Sequence, residues 1–318
     1  IRFSDGKTVE KVAGGAGIYA LCGMKLWSDS VLLATGVGAD YREIYGEWYE
    51  TNGISMEGLL VKDEKTPHTV IQYFEDGERT ETPLYGPDHY KKIEITPEDL
   101  KPYFSASKGI YIFKNDSPDF WEKILEMKKE SSAVVMWEIA NDATCLEKKK
   151  HVREIASRLD ILSINMTEAR ALLGLEKKED IIQEFQSWNL RLVFLRQGAR
   201  GAVMITPKEA VEVPSCQGVK VMDPTGGGNS SSGAVLCGYC QGHSPAECGR
   251  MGSISAAMCI SQYGVPKRIQ KEEQEEALRL LKSMGEQTGE VMKCEKYHRF
   301  SGGMSSISII KMYRKRAW

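Results

Sequence analysis

Short apolar runs alternate with longer amphipathic stretches along most of the chain, and this alternation restricts the fold more than any other feature. The apolar runs that predict strands are VLLATGVG (31–38), GIYIF (109–113), AVVMWEI (133–139), DILSIN (160–165), RLVFLR (191–196) and GAVMIT (201–206). The stretches that predict helices are 117–130, 144–159, 166–175 and 179–189. Strands that alternate with helices of this length indicate βαβ units and a parallel sheet. We therefore expect one α/β domain over residues 1–318, with ligands at the carboxyl ends of its strands.

Two segments differ from this pattern, approximately residues 1–13 and 65–90, because they are rich in Thr, Val and Tyr and contain Asp-Gly turns. In the second segment, EDGE (75–78) lies between two alternating runs, which predicts a β-hairpin. We expect these segments to form a small β lid, a subdomain that closes over a substrate and excludes water. The alternative is a surface hairpin without a role.

Charge and cysteine content narrow the classes of partner. The 42 lysine and arginine residues are balanced by 44 acidic residues, and the net charge of −2 argues against a nucleic-acid-binding protein. No apolar run is long enough to cross a bilayer, so we expect no membrane partner. The eight scattered cysteines are typical of a reducing, cytoplasmic setting. Cys237, Cys240, His243 and Cys248 have a spacing that zinc could use, but a buried helix of small residues is the alternative that we favour.

The segment DPTGGGNSS (223–231) combines a turn, three glycines and the start of a helix. We predict that an apolar strand at 219–222 leads into the turn and that the helix begins near Gly228. Glycines let backbone N–H groups approach a ligand closely, and the first N–H groups of a helix add a partial positive charge. The segment therefore predicts an anion hole for a phosphoryl group, although it lacks the Gly-Lys-Ser/Thr of a Walker loop. The alternative is a tight turn that allows close packing of helix and sheet.

This segment resembles the D-T-x-G-A-G-D signature of the ribokinase-like, or PfkB, carbohydrate kinases. Further landmarks follow in the order of that family, namely VAGGAGIYALCGMKL (12–26), TGVGADYREIYGEWYETNGI (35–54), NMTE (165–168), LRQGARGAVMI (195–205) and SAAMCISQYGVP (255–266). The resemblance covers nearly the whole chain. It implies a three-layer α/β/α fold with a central, mostly parallel sheet and a small β lid. It also implies a kinase that transfers the γ-phosphoryl group of ATP to a hydroxyl group of a sugar or nucleoside.

The resemblance also assigns roles on the nucleotide side. Backbone N–H groups of Gly226, Gly227 and Gly228 would neutralise the phosphoryl group during transfer, in line with the electrostatic character of this reaction. Asn165 and Glu168 would position Mg²⁺ and phosphate through water. Read without the family, the same pair is an ordinary capping box at a helix start. The remaining residues expected on the nucleotide side are Arg196, Gly198, Gly201, Thr225 and Gly264.

The predicted substrate side is formed by Gly14, Gly15, Tyr19, Glu138 and Asp223. The two glycines would let the backbone approach a ligand rich in hydroxyl groups, or would simply begin a helix. Tyr19 would stack on a sugar or base, or fill the pocket. Glu138 ends a predicted strand, where it would meet polar substrate groups or solvent. Asp223, the one carboxylate in the loop, would either act on the substrate by substituting at a distance for a base or fix the turn through hydrogen bonds, and we favour the turn. Lids in the family can pair between subunits, so a homodimer through the lid is one expected assembly.

The pattern departs from the family at the position of the catalytic base. The family aspartate corresponds to Asn229, whose amide cannot accept a proton at neutral pH. Arg196 stands in place of a threonine, Tyr19 in place of an asparagine and Ser231 in place of an aromatic residue. One hypothesis is a kinase with a weakened or lost general base. The alternative is a catalytically inactive or repurposed homologue that binds nucleotide or sugar as a sensor or as a partner subunit.

Overall fold

The computed structural model describes residues 1–10, 12–75, 79–287 and 309–310. Its strands are β1 (Val31–Leu32), β2 (Thr35–Gly38), β3 (Leu59–Asp63), β4 (Thr69–Tyr73), β5 (Arg79–Pro83), β6 (Gly109–Lys114), β7 (Val134–Ile139), β8 (Ile161–Asn165), β9 (Leu192–Arg196), β10 (Ala202–Ile205), β11 (Ala210–Val213) and β12 (Ile309–Ile310). Its helices are α1 (Ala16–Lys25), α2 (Tyr41–Thr51), α3 (Pro87–Ile93), α4 (Pro97–Phe104), α5 (Pro118–Lys129), α6 (Lys149–Ala156), α7 (Met166–Leu173), α8 (Lys178–Ser187), α9 (Gly227–Gln241), α10 (Pro245–Ile260) and α11 (Lys271–Gln287).

The main sheet has eight strands in the order β1-β12-β6-β7-β8-β9-β10-β11. Neighbouring strands from β6 to β9 pair in parallel, whereas β10 and β12 are antiparallel to both of their neighbours. All the strands of this sheet except β10 and β12 therefore run in one direction. The mostly parallel sheet that the alternating pattern predicts is confirmed.

Side chains of the main sheet alternate between two hydrophobic cores, as the pleat of a strand requires. Tyr111, Met136 and Phe194 belong to a core that includes residues of α1, α9, α10 and α11. Ile110, Val135 and Val193, their neighbours along the strands, belong to a second core that is built with α4 to α8. Both faces of the sheet are therefore covered by helices, which confirms the three-layer α/β/α arrangement.

Two smaller sheets lie outside the main one. β2 and β3 pair in parallel, and β4 and β5 pair antiparallel, as the alternating runs around 65–90 predict. The turn between β4 and β5 includes residues 76–78 of the EDGE motif, which lie outside the described residues. Arg2 forms isolated bridges with Thr8 and with Gln72 of β4, so the amino-terminal segment joins this hairpin. Whether the two segments act as a lid stays a prediction, and residues 87–90 belong to α3.

Three predictions from the sequence are wrong in detail. The apolar run 31–38 forms two strands in different sheets, β1 and β2. The stretch 144–159 begins with a 3-10 turn, and its helix covers only Lys149–Ala156. Residues 219–222 form no strand. Val221 in this segment is exposed, and the backbone N–H of Met222 donates to the carbonyl oxygen of Ile260 at the end of α10.

In the part of the chain that the structure describes, no helix is both long and apolar enough to span a membrane. The same residues contain no group of three or more His, Cys, Asp or Glu side chains that could hold a metal ion. The structure therefore does not support the zinc alternative at Cys237, Cys240, His243 and Cys248. Cys237 and Cys240 lie in α9, where Cys237 belongs to a hydrophobic core.

Candidate functional site

The strands β7, β8 and β9 bring three predicted site residues to one edge of the main sheet. Glu138 lies near the carboxyl end of β7, Asn165 ends β8, and Arg196 ends β9. Asn165 and Arg196 are direct register partners across the parallel pair. Ligand sites of open α/β sheets lie at this edge.

The amino terminus of α9 meets the same edge. Gly226 precedes the helix with φ of 80°, a left-handed conformation that favours glycine. A Cβ atom at Gly226 would lie 2.1 Å from the ring of Tyr19, and one at Gly228 would lie 2.1 Å from Nη1 of Arg196. Among the described residues, no side chain caps this helix. The backbone N–H of Gly227 donates to the carbonyl oxygen of Pro224 at 3.4 Å, whereas the N–H groups of Gly228 and Asn229 have no acceptor among the described residues and remain open.

Asn229 is held by two side chains of the main sheet. Its Nδ2 donates to Oε1 of Glu138 at 2.9 Å and to the hydroxyl oxygen of Tyr111 at 3.1 Å. The hydroxyl of Tyr111 in turn donates to Oε2 of Glu138 at 3.1 Å. Burial raises the pKa of Tyr111, so this hydroxyl keeps its proton at neutral pH. Asn229, which the resemblance places at the base position of the family, therefore acts as a hydrogen-bond donor to a carboxylate.

Arg196 lies between two carboxylates. Its Nη1 is 3.1 Å from Oε1 of Glu138, and its Nη2 is 3.8 Å from Oε2 of Glu168. The Arg196 side chain is 15% exposed, and its Nε is buried and has no hydrogen-bond partner among the described residues. We refer to Tyr111, Glu138, Glu168, Arg196 and Asn229 as the mouth cluster, because these residues surround the open end of α9.

Asn165 and Glu168 form a capping box at the start of α7. This is the structural role that the sequence offers as the alternative to positioning Mg²⁺. Oδ1 of Asn165 accepts from the backbone N–H of Glu168 at 2.9 Å, and Oε2 of Glu168 accepts from the backbone N–H of Asn165 at 2.8 Å. Burial raises the pKa of Glu168, and the charge of Arg196 opposes this effect. One side-chain oxygen of each residue is thus already bonded to a backbone N–H, and the Arg196 guanidinium lies beside Glu168. This geometry fits Mg²⁺ poorly.

Asp223 and Thr225 form a second group on the other side of the glycines. Oδ1 of Asp223 accepts from the backbone N–H of Thr225 at 3.0 Å and from its hydroxyl at 2.5 Å. Oδ2 of Asp223 accepts from the backbone N–H of Gly264 at 3.2 Å. The hydroxyl of Tyr73 in β4 donates to the hydroxyl oxygen of Thr225 at 2.6 Å. We refer to Tyr73, Asp223, Thr225 and Gly264 as the turn cluster.

The predicted substrate glycines lie close to the turn cluster. Gly15 precedes α1 with φ of 107°, and the ring of Tyr19 lies near both Gly14 and Gly226. Tyr19 is 2% exposed, and burial raises the pKa of its hydroxyl. The ring therefore packs between the two glycine segments, and its role toward a substrate stays a prediction.

Two glycines of the predicted nucleotide side are separate from both clusters. Gly198 begins the 3-10 turn Gly198–Arg200 that follows Arg196. Gly201 has φ of 90°, and a Cβ atom there would lie 2.0 Å from the carbonyl oxygen of Val213. These glycines shape the connection between β9 and β10, and their contact with nucleotide stays a prediction.

Two residues with polar roles were not predicted, Tyr111 and Tyr73. Tyr111 lies in the apolar run GIYIF and reads as a core residue, although a tyrosine hydroxyl in a buried strand needs a hydrogen-bond partner. That requirement is the one signal that could have drawn attention to it. Tyr73 lies in the hairpin segment, and nothing in the local sequence indicates that its hydroxyl reaches Thr225, which is 152 positions away.

Fold and site together define a three-layer α/β protein whose polar side chains converge on an open helix end at the carboxyl edge of its sheet. The chain belongs to the pfkB family of carbohydrate kinases, because the family model matches residues 3–271. The resemblance to this family is therefore confirmed.

Individual relatives agree with this assignment. The chain is 27% identical over 267 residues to the cytidine kinase of Thermococcus kodakarensis, which covers 82% of this chain and 92% of that protein. The crystal structure of Methanocaldococcus jannaschii nucleoside kinase superposes with a TM-score of 0.66 at 22% identity, covering 86% and 87% of the two chains. A second structure, a putative ribokinase from E. coli in complex with ATP and Mg²⁺, superposes with a TM-score of 0.67 at 18% identity, covering 84% and 89%. These superpositions confirm the ribokinase-like fold.

Proposed function

We propose that the chain is a phosphotransferase that uses ATP to phosphorylate a hydroxyl group of a nucleoside or sugar. The observation that carries this proposal is the amino terminus of α9, where Gly228 lies against the guanidinium of Arg196 and no described side chain caps the helix. Open N–H groups beside a guanidinium are suited to a phosphate. Membership of the pfkB family and the similarity to a cytidine kinase support the same reaction class.

In this proposal the backbone of Gly226 to Gly228 and the side chain of Arg196 hold the phosphoryl group. Thr225, Gly198, Gly201 and Gly264 line the nucleotide side, and Gly14, Gly15 and Tyr19 line the substrate side. Glu138 reaches the substrate from β7. Asp223 holds Thr225 and Gly264 in place, because both of its carboxylate oxygens accept hydrogen bonds from these two residues.

The transfer step is slow in this proposal. Asn229 cannot accept the proton of the attacking hydroxyl, and loss of a general base costs on the order of 10² to 10⁴ in rate. The nearest carboxylate, Glu138, already accepts from Asn229 and Tyr111 and pairs with Arg196. Positioning and electrostatic stabilisation remain, and these supply most of the catalysis in phosphoryl transfer.

A second candidate function is binding without transfer, as a sensor or partner subunit. It is favoured by the direction of the hydrogen bond at the base position, where Asn229 donates to Glu138. Both N–H groups of this amide are donated within the protein, to Glu138 and to Tyr111, so Oδ1 is the atom left for a substrate hydroxyl group, and an amide oxygen can accept a hydrogen bond from that group but cannot deprotonate it.

Binding is tested by calorimetry with ADP and with ATP on the unmodified protein and on Gly228→Ala. The added methyl group collides with Arg196, so we expect the affinity for ADP to fall by about tenfold or more. Gly46→Ala is the matched control, because it lies within α2 and its added Cβ would make only an ordinary contact at 3.5 Å. If the unmodified protein binds neither ADP nor ATP, both candidate functions are wrong.

Turnover separates the two candidates. ADP release is measured with ATP and a panel of cytidine, adenosine, inosine, ribose and fructose, each against a reaction without acceptor. Release that depends on one acceptor supports the phosphotransferase. The assay uses a protein concentration high enough to detect a kinase whose rate is reduced about 10⁴-fold. If the protein binds ADP but releases none from ATP under these conditions, the result supports the binding protein.

A further inference from the structure

The guanidinium of Arg196 has more N–H donors than it has hydrogen-bond acceptors among the described residues. A guanidinium has five N–H donors in a fixed plane, and a donor that is buried without an acceptor costs free energy. Nε of Arg196 is buried without a partner among the described residues, and Nη2 is still 3.8 Å from the nearest carboxylate oxygen of Glu168. Within the described ranges, Nη1 is the one guanidinium nitrogen with a close acceptor, Oε1 of Glu138 at 3.1 Å. Because Nε is enclosed by the protein, the hydrogen-bonding capacity open to an anion such as a phosphate lies on Nη2, which has no acceptor within hydrogen-bonding distance among the described residues.

The position of the guanidinium agrees with that ligand. Nη1 of Arg196 lies so close to Gly228 that a Cβ atom there would be 2.1 Å away. The guanidinium and the first N–H groups of α9 therefore face one common space. Planar, bidentate donors bind phosphate oxygens more specifically than a single charge does.

The same guanidinium lies where a metal ion is expected. Asn165 and Glu168 are the residues predicted to position Mg²⁺, and each gives one side-chain oxygen to a backbone N–H of the other. A divalent cation near Glu168, bound directly or through a water molecule, would lie within a few ångströms of the Arg196 guanidinium. Two positive charges at that separation repel each other. The cation and the arginine are thus alternatives for the same electrostatic role.

We propose that Arg196 supplies the positive charge at the phosphate site, so that this chain binds a nucleoside diphosphate or triphosphate without a divalent cation. The inference rests on the proposed function, because it concerns the same phosphate site. Arg196 cancels the charge of one of the two flanking carboxylates, whereas a threonine at this position would leave both uncompensated. Glu168 then serves as a partner of the arginine and as a helix cap.

The test compares ADP binding in excess EDTA with ADP binding in excess Mg²⁺, by calorimetry and by the shift in Tm. For the unmodified protein we expect dissociation constants that agree within about threefold between the two buffers. Arg196→Thr introduces the residue that is usual in the family. In EDTA this variant should lose affinity by at least about tenfold, and Mg²⁺ should restore most of it.

Two further variants and one further ligand control for folding, for charge and for the nucleoside part. Arg196→Lys keeps the charge but loses the planar donors, so it should bind in EDTA more weakly than the unmodified protein and more tightly than Arg196→Thr. Arg158→Thr removes an exposed positive charge just before β8, at the opposite edge of the sheet, and should leave binding unchanged. The unmodified protein with adenosine in place of ADP shows the contribution of the nucleoside part alone.

The outcomes are separable. If the unmodified protein binds ADP only when Mg²⁺ is present, the inference is overturned and the proposed function stands. The inference is equally overturned if Arg196→Thr binds ADP in EDTA as tightly as the unmodified protein does. If ADP binds in neither buffer, the phosphate site itself is absent, and the proposed function is rejected together with the inference.

Discussion

The turn cluster and the mouth cluster meet in the segment 223–229, which contributes Asp223 and Thr225 to the first and Asn229 to the second, yet the two clusters satisfy their polar groups very differently. In the turn cluster, both oxygens of Asp223 accept hydrogen bonds and the residue is 1% exposed. In the mouth cluster, Arg196 keeps a buried Nε without a partner in the described part of the chain, and α9 begins without a side-chain cap. Satisfied polar groups stabilise a fold, whereas unsatisfied ones cost stability that a ligand can return.

This difference separates structural from functional residues more sharply than residue type does. Each cluster contains a carboxylate of the predicted substrate side, Asp223 in the turn cluster and Glu138 in the mouth cluster. Of these two carboxylates, Glu138 is the one that contacts groups at the open end of α9, namely the Arg196 guanidinium and the Asn229 amide. We therefore expect substitutions in the turn cluster to act first on stability, and substitutions in the mouth cluster to act first on binding and transfer.

The largest effect on stability is expected for Asp223→Ala. The variant leaves the N–H groups of Thr225 and Gly264 and one hydroxyl without their acceptor, so the free energy of unfolding should fall by about 3–5 kcal/mol. Urea denaturation measures this change. Asp5→Ala is the matched control, because Asp5 accepts a bond of the same local kind from Lys7 at an exposed site and should matter far less. A stable Asp223→Ala protein that no longer binds substrate would contradict the comparison.

A smaller loss of stability is expected for Asn229→Asp. The new carboxylate would lie within hydrogen-bonding distance of Oε1 of Glu138, where the amide now donates at 2.9 Å. Two adjacent carboxylates raise the pKa of one of them above its value in the unfolded chain. The folded state then binds more protons than the unfolded state, so the loss grows as the pH rises from 5 to 8. Urea denaturation at pH 5 and at pH 8 measures this change. At pH 8 the free energy of unfolding of the variant should lie about 1–3 kcal/mol below that of the unmodified protein.

The double variant Glu138→Gln/Asn229→Asp exchanges the carboxylate and the amide across this hydrogen bond. It retains one negative charge for Arg196, and it should therefore recover most of the stability that Asn229→Asp loses. It also places a carboxylate at the family's base position, so acceptor-dependent ADP release should rise by about 10² or more if the proposed function is correct. Failure of the double variant to regain stability would show that the two carboxylates were not the cause of the loss.

The smallest effect is expected for Glu168→Gln, and it has the opposite sign. Burial raises the pKa of Glu168 in the folded state. At pH values above the ordinary pKa of a glutamate, the ionised side chain therefore destabilises the folded state. Glutamine can still accept from the backbone N–H of Asn165, so stability at pH 7–8 should increase by up to about 1 kcal/mol. The gain should disappear as the pH falls below about 4, where the glutamate is itself protonated.

Glu247→Gln provides the matched control, because Glu247 occupies the same position in the capping box of α10. Desolvation tends to raise its pKa, but the hydrogen bonds from Ser244 outweigh this effect and hold the pKa below the ordinary value. Its contribution to stability is therefore present above the ordinary pKa and is lost as the pH falls. The substitution should lower stability at pH 7–8. If Glu168→Gln and Glu247→Gln changed the free energy of unfolding equally, the two capping glutamates would not differ. Glu168 would then act only as a helix cap, without a further role in the mouth cluster.

The sequence predicts the sheet well because its strands are buried on both faces and therefore read as apolar runs. The runs at 109–113, 133–139, 160–165 and 191–196 correspond to β6, β7, β8 and β9 within one residue at each end. The run at 219–222 fails because an apolar composition does not ensure burial, and Val221 is 57% exposed. The run at 31–38 fails because one continuous pattern cannot show that the chain changes sheets.

The sequence predicts the glycines of the site better than its polar side chains. Gly226 and Gly228 are recognisable because their roles depend on backbone geometry and on the start of a helix, both of which are local. The position of the Arg196 guanidinium depends on Glu138 and Glu168, which belong to other strands and helices. The choice of Tyr111 as a partner of Asn229 likewise depends on the packing of α9 on the sheet. Contacts of this kind cannot be read from one stretch of sequence.

The bond between Tyr73 and Thr225 connects the antiparallel hairpin to the loop that precedes α9. A ligand that moves Thr225 must weaken or stretch this bond, and a ligand that reorders β4 must change the position of Thr225. Linkage makes the two effects reciprocal, because each site changes the affinity of the other by the same factor. A ligand that favours one state of this hydroxyl–hydroxyl bond would therefore act on the hairpin and on the loop together.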